Sequence, residues 1–390
     1  MSKALIIGKP NSIHTVNFLN SILIKNPIVN EIDLFSTDHN DFMQDEYRNF
    51  YKHFGVNIIS TNSFFQNNTF LKRIDYLIRK TWKMYSLLSN VDQYDYCFVL
   101  YCSEYSAIWS GLFAKKFKKL IPVFWGGDVL RNDSLNNLNF KKMLMNSYKV
   151  VMPNENSLRV FNKKTRNAYM KKVCVIQYPQ NMVKKLKEIE AKKYNKNEIK
   201  INYKLPLDKK IVICGHTATR AENYKDMIYN LELCNDSTIN DCFFVFMMTY
   251  APEEHLTYQK EVFDILENSK LNGIIFKDFL PYEEVLKLHF ISDIHITAIK
   301  TDAFSCFLQE ELYSGSILLY GRWLNYYEIE NDNFFAIPFD CLPTISNEFE
   351  KIIENFSIYK EKSKCNRKGI IDIASEEAII HEWNKIILDN

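Results

Sequence analysis

The sequence predicts an α/β protein made of two Rossmann-like domains. Short apolar runs alternate with longer helical stretches along both halves, which is typical of parallel sheets with crossover helices. Each half opens with an apolar run that ends in glycine, Lys3–Gly8 in the first and Lys210–Gly215 in the second. At 390 residues the chain is long enough for two domains, each with its own core.

The strands are predicted in chain order from these apolar runs. In the first half they are Lys3–Gly8, Glu31–Phe35, Val56–Ser60, Tyr96–Tyr101, Ile121–Trp125 and Val173–Gln177. In the second half they are Lys210–Gly215, Phe243–Met248, Gly273–Phe276, Asp293–Thr297 and Ser316–Leu319. Residues 181–204 are lysine-rich and poor in large apolar side chains, which favours a domain junction. We expect a first domain at 1–180, a basic junction at 181–204, a second domain at 205–375 and a final helix at 376–390.

Composition excludes several classes of protein. Hydrophobic residues make up 47% and charged residues 25%, as in ordinary globular proteins. No apolar run approaches the roughly 18 residues of a membrane span, and the first residues do not resemble a signal peptide. The nine cysteines include no C-x-x-C pair, which argues against a zinc site. Neither a G-x-G-x-x-G nor a Walker A motif is present. A cytoplasmic protein is the simplest expectation.

The formal net charge of +2 hides a strong asymmetry between the halves. Residues 1–200 hold 31 Lys and Arg against 16 Asp and Glu, a net charge of +15. Residues 201–390 hold 18 against 31, a net charge of −13. We therefore expect the two domains to have different partners. No nucleic-acid motif accompanies the basic half, so nucleic acid is not among the expected partners.

Residues 71–88 predict a basic amphipathic helix. Projected at 100° per residue, one face of about 120° collects the basic side chains Lys72, Arg73, Arg79, Lys80 and Lys83. The opposite face is apolar. Such a helix is typical of proteins that lie on anionic membranes. It is equally typical of a surface helix whose apolar side packs on a sheet, and the two readings are compatible.

Two segments of the second half could bind a charged ligand. Gly215–Lys225 follows the first strand of that half and carries His216, Arg220 and Lys225, and cations of this kind bind diphosphates. Thr301–Gly315 carries Asp302 and Glu310, and carboxylates suit vicinal hydroxyls. The backbone around Ser305 would offer N–H groups to a phosphate. An exposed basic pair and an ordinary solvated acidic helix face are the competing readings.

The first half contributes two further candidates. Asp128 follows the adjacent glycines of the WGGD stretch and is predicted either as a general base or as a group that caps and positions. His14 lies in the loop after Gly8, where it could meet reacting sugars or be structural. Because ligands in open α/β sheets bind beyond the carboxyl ends of the strands, we expect the site between the two domains.

These motifs resemble those of GT-B glycosyltransferases. Asp302 and Glu310, with seven residues between them and Gly315 after them, are similar to the E-x7-E stretch of family-4-type retaining enzymes. The stretch Phe279–Leu286 resembles the segment that passes the nucleotide base, and Trp125–Arg131 resembles a loop of bacterial capsule and O-antigen transferases. The layout is also similar to that of Fuc4NAc transferases of enterobacterial common antigen.

The resemblance implies a GT-B fold, in which two Rossmann-like domains face each other across a cleft and the C-terminal helix crosses back to the first domain. It implies that Glu310 holds the donor ribose, that Asp302 touches the transferred sugar, and that Phe279 lies near the base. Arg220 and Lys225 would offset the charge of the leaving diphosphate. Aspartate in place of the first glutamate leaves the stereochemistry open.

The predicted function is transfer of a sugar from a nucleotide diphosphate sugar to a hydroxyl of a lipid-linked bacterial surface glycan. The first domain would bind the acceptor, and the enzyme would lie at the inner face of the cell membrane, on an anionic surface. No D-x-D pair is present, which favours metal-independent transfer without a cofactor. The alternatives are a sugar-nucleotide epimerase, a glycerol-phosphate transferase, or a non-catalytic glycan- or nucleotide-binding protein.

Overall fold

The computed structural model describes residues 2–26, 29–38, 43–60, 69–249, 255–330 and 332–388. The chain divides into two compact units. The first contains residues 1–180 together with 376–390, and the second contains residues 181–375. Each unit is built around one parallel sheet with helices.

The first unit contains a seven-stranded sheet. Its strands are β1 (Ser2–Gly8), β2 (Val29–Ser36), β3 (Asn57–Ile59), β4 (Tyr94–Leu100), β5 (Phe117–Val123), β6 (Val150–Met152) and β7 (Val173–Val175). The helices between them are α1 (Ile13–Phe18), α2 (Asp45–His53), α3 (Thr69–Ser89), α4 (Glu104–Leu112), α5 (Gly127–Leu130), α6 (Leu138–Asn146) and α7 (Glu155–Lys164).

The second unit opens with two helices and continues with a six-stranded sheet. The opening helices are α8 (Met182–Ala191) and α9 (Lys196–Asn202). The strands are β8 (Lys210–Cys214), β9 (Cys242–Met247), β10 (Gly273–Phe276), β11 (Ile294–Thr297), β12 (Ile317–Gly321) and β13 (Ala336–Phe339). The remaining helices are α10 (Tyr224–Leu231), α11 (Asp236–Asn240), α12 (Leu256–Glu267), α13 (Tyr282–Ile291), α14 (Cys306–Ser314), α15 (Ile345–Glu354), α16 (Phe356–Ser363) and α17 (Cys365–Ala374).

Both sheets have the same doubly wound topology. The strand order is β3-β2-β1-β4-β5-β6-β7 in the first and β10-β9-β8-β11-β12-β13 in the second, and every pairing is parallel. The chain therefore reverses its direction of winding beside β1 and beside β8. Ligands of open α/β sheets bind beyond the strand ends at such switch points. The prediction of two Rossmann-like α/β domains is confirmed.

Continuous apolar strands form the two cores. In β1, the side chains of Ala4, Leu5, Ile6 and Ile7 are fully buried, whichever face of the sheet they lie on. Helices cover both faces of a parallel sheet, so its central strands lack the polar alternation of a half-exposed strand. This is why short apolar runs marked most of the strands in the sequence.

Two strands were missed by the sequence prediction. β6 has only three residues, and β13 lies at the edge of its sheet and contains Pro338. Proline removes a backbone donor and is confined to edge positions, so the sequence of β13 does not show the pattern that predicts a strand. The lysine-rich segment 181–204, expected as a junction, forms α8 and α9, which belong to the second unit.

The last helix, α18 (Glu376–Leu388), returns to the first unit, as the predicted crossover requires. Trp383 is fully buried there, with its ring in edge contact with those of Phe18, at 5.0 Å between centroids, and Phe98, at 6.3 Å. Its indole Nε1 donates to the Gln177 carbonyl at 3.3 Å. The final helix is therefore part of the first core.

The helix α3 does not present a purely basic face. Its buried row is Tyr76, Lys80, Met84 and Leu88, at helical spacing. Lys80 is fully buried and its ammonium donates to the Ser36 carbonyl at 2.8 Å, so its prediction as a membrane-facing cation is wrong. The long Lys80 side chain reaches this carbonyl at the end of β2, and helical periodicity alone does not reveal such a contact.

The other cations of α3 lie outside this buried row. Arg73 and Lys83 are exposed, and Arg79 pairs with Asp75 at 2.6 Å. The side chain of Lys72 lies outside the described residues. Among the residues that the structure describes, no helix is long and apolar enough to cross a membrane.

Replacing Trp383 by alanine should lower the free energy of unfolding by about 3–5 kcal/mol, because a buried indole and its aromatic contacts are lost. Chemical denaturation followed by circular dichroism would measure this loss. Leu388→Ala is the matched control, since Leu388 lies on the same helix and is 52% exposed. Equal effects of both changes would contradict the placement of Trp383 in the core.

Candidate functional site

A buried carboxylate holds the loops at the carboxyl edge of the first sheet. Asp128 accepts hydrogen bonds from the backbone N–H groups of Trp125 and Cys102, each at 2.8 Å. Cys102 follows β4 and Trp125 follows β5, so one side chain fixes two neighbouring loops. Burial raises the pKa of Asp128 to about 7. Because both oxygens are occupied by backbone donors, the geometry favours the positioning role over that of a general base.

The backbone around Asp128 is also strained. Gly126 has φ +100°, and Tyr101, after β4, has φ +60°. Positive φ is costly for a tyrosine, and such residues persist only where the surrounding structure fixes them. The Cys102 hydrogen bond to Asp128 supplies part of that constraint.

Aromatic side chains surround His14 at the same edge. The His14 ring lies 4.8 Å from the Trp125 ring and 5.7 Å from the Tyr178 ring, between centroids. The Tyr178 hydroxyl donates to the His14 carbonyl at 2.8 Å. Tyr101 adds a fourth ring, 5.4 Å from Trp125. Desolvation lowers the pKa of His14, although the residue as a whole is exposed to solvent. This cluster offers apolar faces and a neutral imidazole.

A second buried carboxylate shapes the loop after β8. Glu222 is fully buried, and its Oε1 accepts from the Thr217 hydroxyl at 2.9 Å and from the Thr217 N–H at 3.1 Å. The His216 Nδ1 atom lies 3.2 Å from the same oxygen. Gly215, with φ +59°, must be glycine because a Cβ there would collide with Tyr224. Burial raises the pKa of Glu222.

The loop after β8 is tied to the loop after β11. The Asn223 side-chain amide donates to the Ala298 carbonyl at 2.6 Å, and the Lys300 N–H donates to the Ala221 carbonyl at 2.8 Å. Since β8 and β11 are the strands at the switch point, these bonds fix both walls of the expected ligand site in the second unit.

Asp302 shapes the turn before α14. Its Oδ2 accepts from the Ser305 N–H at 2.9 Å and from the Tyr326 hydroxyl at 2.9 Å. Phe304, which lies between Asp302 and Ser305 in the chain, is buried and has φ +57°. The Ser305 side chain does not cap α14. The first turn of α14 is thus held by a carboxylate next to strained backbone, where a phosphate-binding loop was predicted.

The structure brings Arg220 and Lys225 together through a third residue. The Arg220 guanidinium binds both oxygens of Glu261, at 2.8 and 3.2 Å, and the Lys225 ammonium lies 3.1 Å from Glu261 Oε2. The guanidinium also lies 4.7 Å from the centre of the Tyr258 ring. Arg220 and Lys225 hold the pKa of the Glu261 carboxyl at about 2. Two cations thus converge on one carboxylate near the end of β8.

Glu310 lies in a buried network and not on an open helix face. Its Oε1 accepts from the Tyr282 hydroxyl and lies 3.1 Å from the Cys306 thiol. Its Oε2 lies 3.1 Å from His289 Nε2, and the other ring nitrogen, Nδ1, is 2.7 Å from Glu311 Oε1. All these groups belong to α13 and α14, which pack together.

The two carboxylates keep His289 protonated. Burial opposes the charge, but Glu311 and Glu310 outweigh it and raise the pKa of His289 to about 9. The pKa of Glu311 is lowered because His289 outweighs the cost of its burial. The nearby His295 behaves oppositely, since burial lowers its pKa to about 4. Glu310 is therefore held by the hydrogen bond from Tyr282 and by its charge contact with His289, whose Nε2 makes no well-aligned hydrogen bond.

Of the other predicted donor-site residues, Phe279 lies in a loop, whereas His216 adjoins this network through Phe307, whose ring also contacts that of His289 at 4.4 Å between centroids. Phe279 is 73% exposed in the loop before α13, where it is available to stack on a ligand. His216 stacks on Phe307, with 5.4 Å between ring centroids.

Sequence reasoning missed Glu222, Glu261, Tyr282, His289 and Tyr326. Glu222 stands two positions after Arg220, within the predicted loop, but a glutamate there gives no sign of burial. Glu261 comes from α12, far from its partners along the chain, so no local pattern connects them.

No protein-family model matches the sequence, and no curated protein is significantly similar to it. Solved structures match it over its whole length. A glycosyltransferase from Rickettsia africae has 12% identity and a TM-score of 0.71, covering 100% of this chain and 99% of that chain. HepE from Anabaena, in complex with UDP and glucose, has 9% identity, a TM-score of 0.71 and full coverage of both chains. UDP-GlcNAc 2-epimerase from Neisseria meningitidis, bound to UDP-GlcNAc, has 14% identity, a TM-score of 0.60 and full coverage of both chains.

At these identities the likeness concerns the fold. The predicted GT-B fold is confirmed.

Asp128→Ala should lower the free energy of unfolding by about 3 kcal/mol, because two buried backbone donors lose their acceptor. Asp128→Asn should cost less, since one acceptor oxygen remains. Denaturant titrations would measure both. Asp133→Ala is the control, because that side chain is fully exposed. An alanine variant as stable as the wild type would contradict the anchoring role.

His289→Gln should remove a pH-dependent part of the stability. The folded pKa of about 9 lies above the ordinary value of 6.5, so the stabilisation is complete below pH 6.5 and is lost as pH rises through 9. This pH-dependent contribution of His289 to the free energy of unfolding amounts to about 3 kcal/mol. Denaturation at pH 6, 7.5 and 9 should show the wild type and the variant converging as the pH rises. His381→Gln, at an exposed position, serves as control. A constant gap would contradict a charged His289.

Proposed function

We propose that the protein is a glycosyltransferase that moves a sugar from a UDP-sugar to a hydroxyl of a lipid-linked bacterial surface glycan. In this proposal the second unit binds the donor and the first unit binds the acceptor. The reaction needs no metal ion, and the enzyme works in the cytoplasm, at the inner face of the cell membrane. A shared fold with proteins solved in complex with UDP or UDP-GlcNAc supports the choice of donor class.

The convergence of Arg220 and Lys225 on one carboxylate carries the proposal. A carboxylate and a phosphate present similar oxygens to a guanidinium, so cations that bind Glu261 are placed to bind a diphosphate. The leaving group of the transfer is a nucleoside diphosphate, whose charge grows as the glycosidic bond breaks. Two fixed cations would stabilise that charge without a metal ion.

Three carboxylates take defined parts in the proposal. Asp302 holds the turn before α14 by accepting from the Ser305 N–H, so that other backbone N–H groups of the first turn would meet the phosphates while the carboxylate lies near the sugar. Glu310 takes the ribose hydroxyls when the Tyr282 hydroxyl gives up its hydrogen bond. Asp128 positions the acceptor loops of the first unit. Phe279 and His216 lie on the donor side.

The acceptor side of the proposal rests on the cluster around His14. Aromatic faces stack well on sugar rings, and a neutral imidazole can accept a proton from an attacking hydroxyl. His14 and Tyr101 are the exposed members of the cluster, and of these two only the His14 imidazole takes up a proton near neutral pH, so His14 is the residue we assign to the acceptor hydroxyl.

Binding of UDP should respond in opposite directions to changes at two neighbouring residues. Arg220→Ala should weaken UDP binding about tenfold, because a charge-assisted contact is lost. Glu261→Gln should tighten it several-fold, because the competing carboxylate becomes neutral and no longer holds the cations. Isothermal titration calorimetry would measure both. Glu267→Gln, an exposed position on the same helix, should leave the affinity unchanged. Weaker binding by Glu261→Gln would contradict the placement of the diphosphate.

Product analysis tests the reaction itself. Incubation with a panel of UDP-sugars, with and without a membrane lipid extract, separates the candidate chemistries by mass spectrometry and NMR. Acceptor-dependent release of UDP supports transfer. Formation of an isomeric UDP-sugar without acceptor would show an epimerase instead, and binding without any turnover would show a non-catalytic binding protein.

A further inference from the structure

One side of α3 exposes large apolar side chains. Ile74, Ile78, Trp82 and Tyr85 recur at helical spacing on its surface. Trp82 is 71% exposed and Ile78 is 63% exposed. The Trp82 and Tyr85 rings lie 5.8 Å apart between centroids. The sequence left open whether this side lies on a membrane or packs on a sheet, and in the structure the opposite row, which contains Tyr76, Met84 and Leu88, packs in the core.

The neighbouring helix widens this surface. Leu112, at the end of α4, is 59% exposed and lines the same hollow as Ile78 and Trp82. Leu77, Thr81 and Phe113 line the rest of the hollow. We call Ile74, Ile78, Trp82, Tyr85 and Leu112 the apolar stripe. Contiguous exposed apolar surface of this kind marks an interaction site, whereas single exposed residues do not.

Positive charge borders the apolar stripe. At 100° per residue, Arg79 and Lys83 lie on one side of the apolar stripe, and the exposed Arg73 lies on its other side, near the start of the helix. Lys115 is exposed just after α4. The nearby acidic Asp75 is already paired with Arg79. Cations thus border the apolar stripe on both sides.

We propose that the apolar stripe inserts into the headgroup region of an anionic lipid bilayer, with Arg73, Lys83 and Lys115 contacting the lipid phosphates. Tryptophan and tyrosine favour the boundary between water and lipid tails. An apolar stripe bordered by cations is the pattern of helices that lie in this boundary. The charge selects an anionic lipid surface over an uncharged one. The inference rests on the proposed function, since a lipid-linked acceptor requires the enzyme at a membrane.

The inference also corrects the expected mode of membrane contact. The membrane-contact residues that the sequence predicted are all basic, and they include Lys80, which is buried. In the structure the apolar side chains themselves face solvent, so they supply the insertion and the cations supply the preference for anionic lipid. Membrane binding should therefore survive added salt in part, because burial of apolar surface is not screened.

Sedimentation with lipid vesicles tests the inference. The full chain is mixed with vesicles of phosphatidylcholine alone or with roughly one third phosphatidylglycerol. The double variant Trp82→Gln and Ile78→Gln should lose at least tenfold in affinity for the anionic vesicles. Lys83→Glu combined with Arg73→Glu should lose the preference for phosphatidylglycerol. Leu233→Gln in the second unit is the matched control, because Leu233 is also 71% exposed.

The sedimentation results of the wild type and the double variant either support the proposal or overturn it. Wild-type binding to anionic vesicles that the double variant loses, with an unchanged thermal melt and unchanged UDP affinity, supports the proposal. Equal binding by the wild type and the double variant, or no vesicle binding by the wild type, overturns it. A wild-type dimer that the double variant dissociates, without vesicle binding, would assign the apolar stripe to a second copy of the chain instead. Because UDP affinity is measured separately, failure here is distinct from failure of the proposed function.

Discussion

Buried carboxylates that accept backbone N–H groups hold the functional loops in both units. Asp128 binds the loops after β4 and β5, and Glu222 binds the loop after β8. Parallel strands end at one edge of a sheet, but nothing in the strands themselves orders the loops that follow. A carboxylate among backbone donors supplies that order at the cost of burying a charge, which is why the pKa of each is raised. The candidate sites depend on these anchors.

The second unit adds a second level of charge pairing. Glu261 forms ion pairs with Arg220 and Lys225 after β8. His289 on α13 lies between Glu310 and Glu311 of α14. In both cases a group expected to meet a ligand already has a partner of opposite charge. Such pairing orders these side chains in the absence of a ligand, and under the proposed function it would make ligand binding an exchange of partners.

The first unit uses its charged side chains in a different way from the second unit. Its excess of lysine and arginine is spread over the surface, and one of the cations on α3 is used inside, where Lys80 binds a backbone carbonyl. Because Tyr76 and Lys80 lie on the buried face of α3, Trp82 and its neighbours lie on the exposed face. A basic unit with an exposed apolar stripe fits a partner that is both anionic and apolar, which a lipid bilayer is.

The sequence by itself determined the fold class and most of the strands, because buried parallel strands are continuous apolar runs that local patterns mark along the chain. The crossover of the last helix was implied by the resemblance to GT-B enzymes. It also placed Arg220, Lys225, Asp302 and Glu310 in the loops and the helix that follow strands. It did not determine which face of α3 is buried, or that Glu261 and His289 complete the charge pairs. Those depend on contacts between residues distant in the chain, and only the packing of the sheets and helices brings them together.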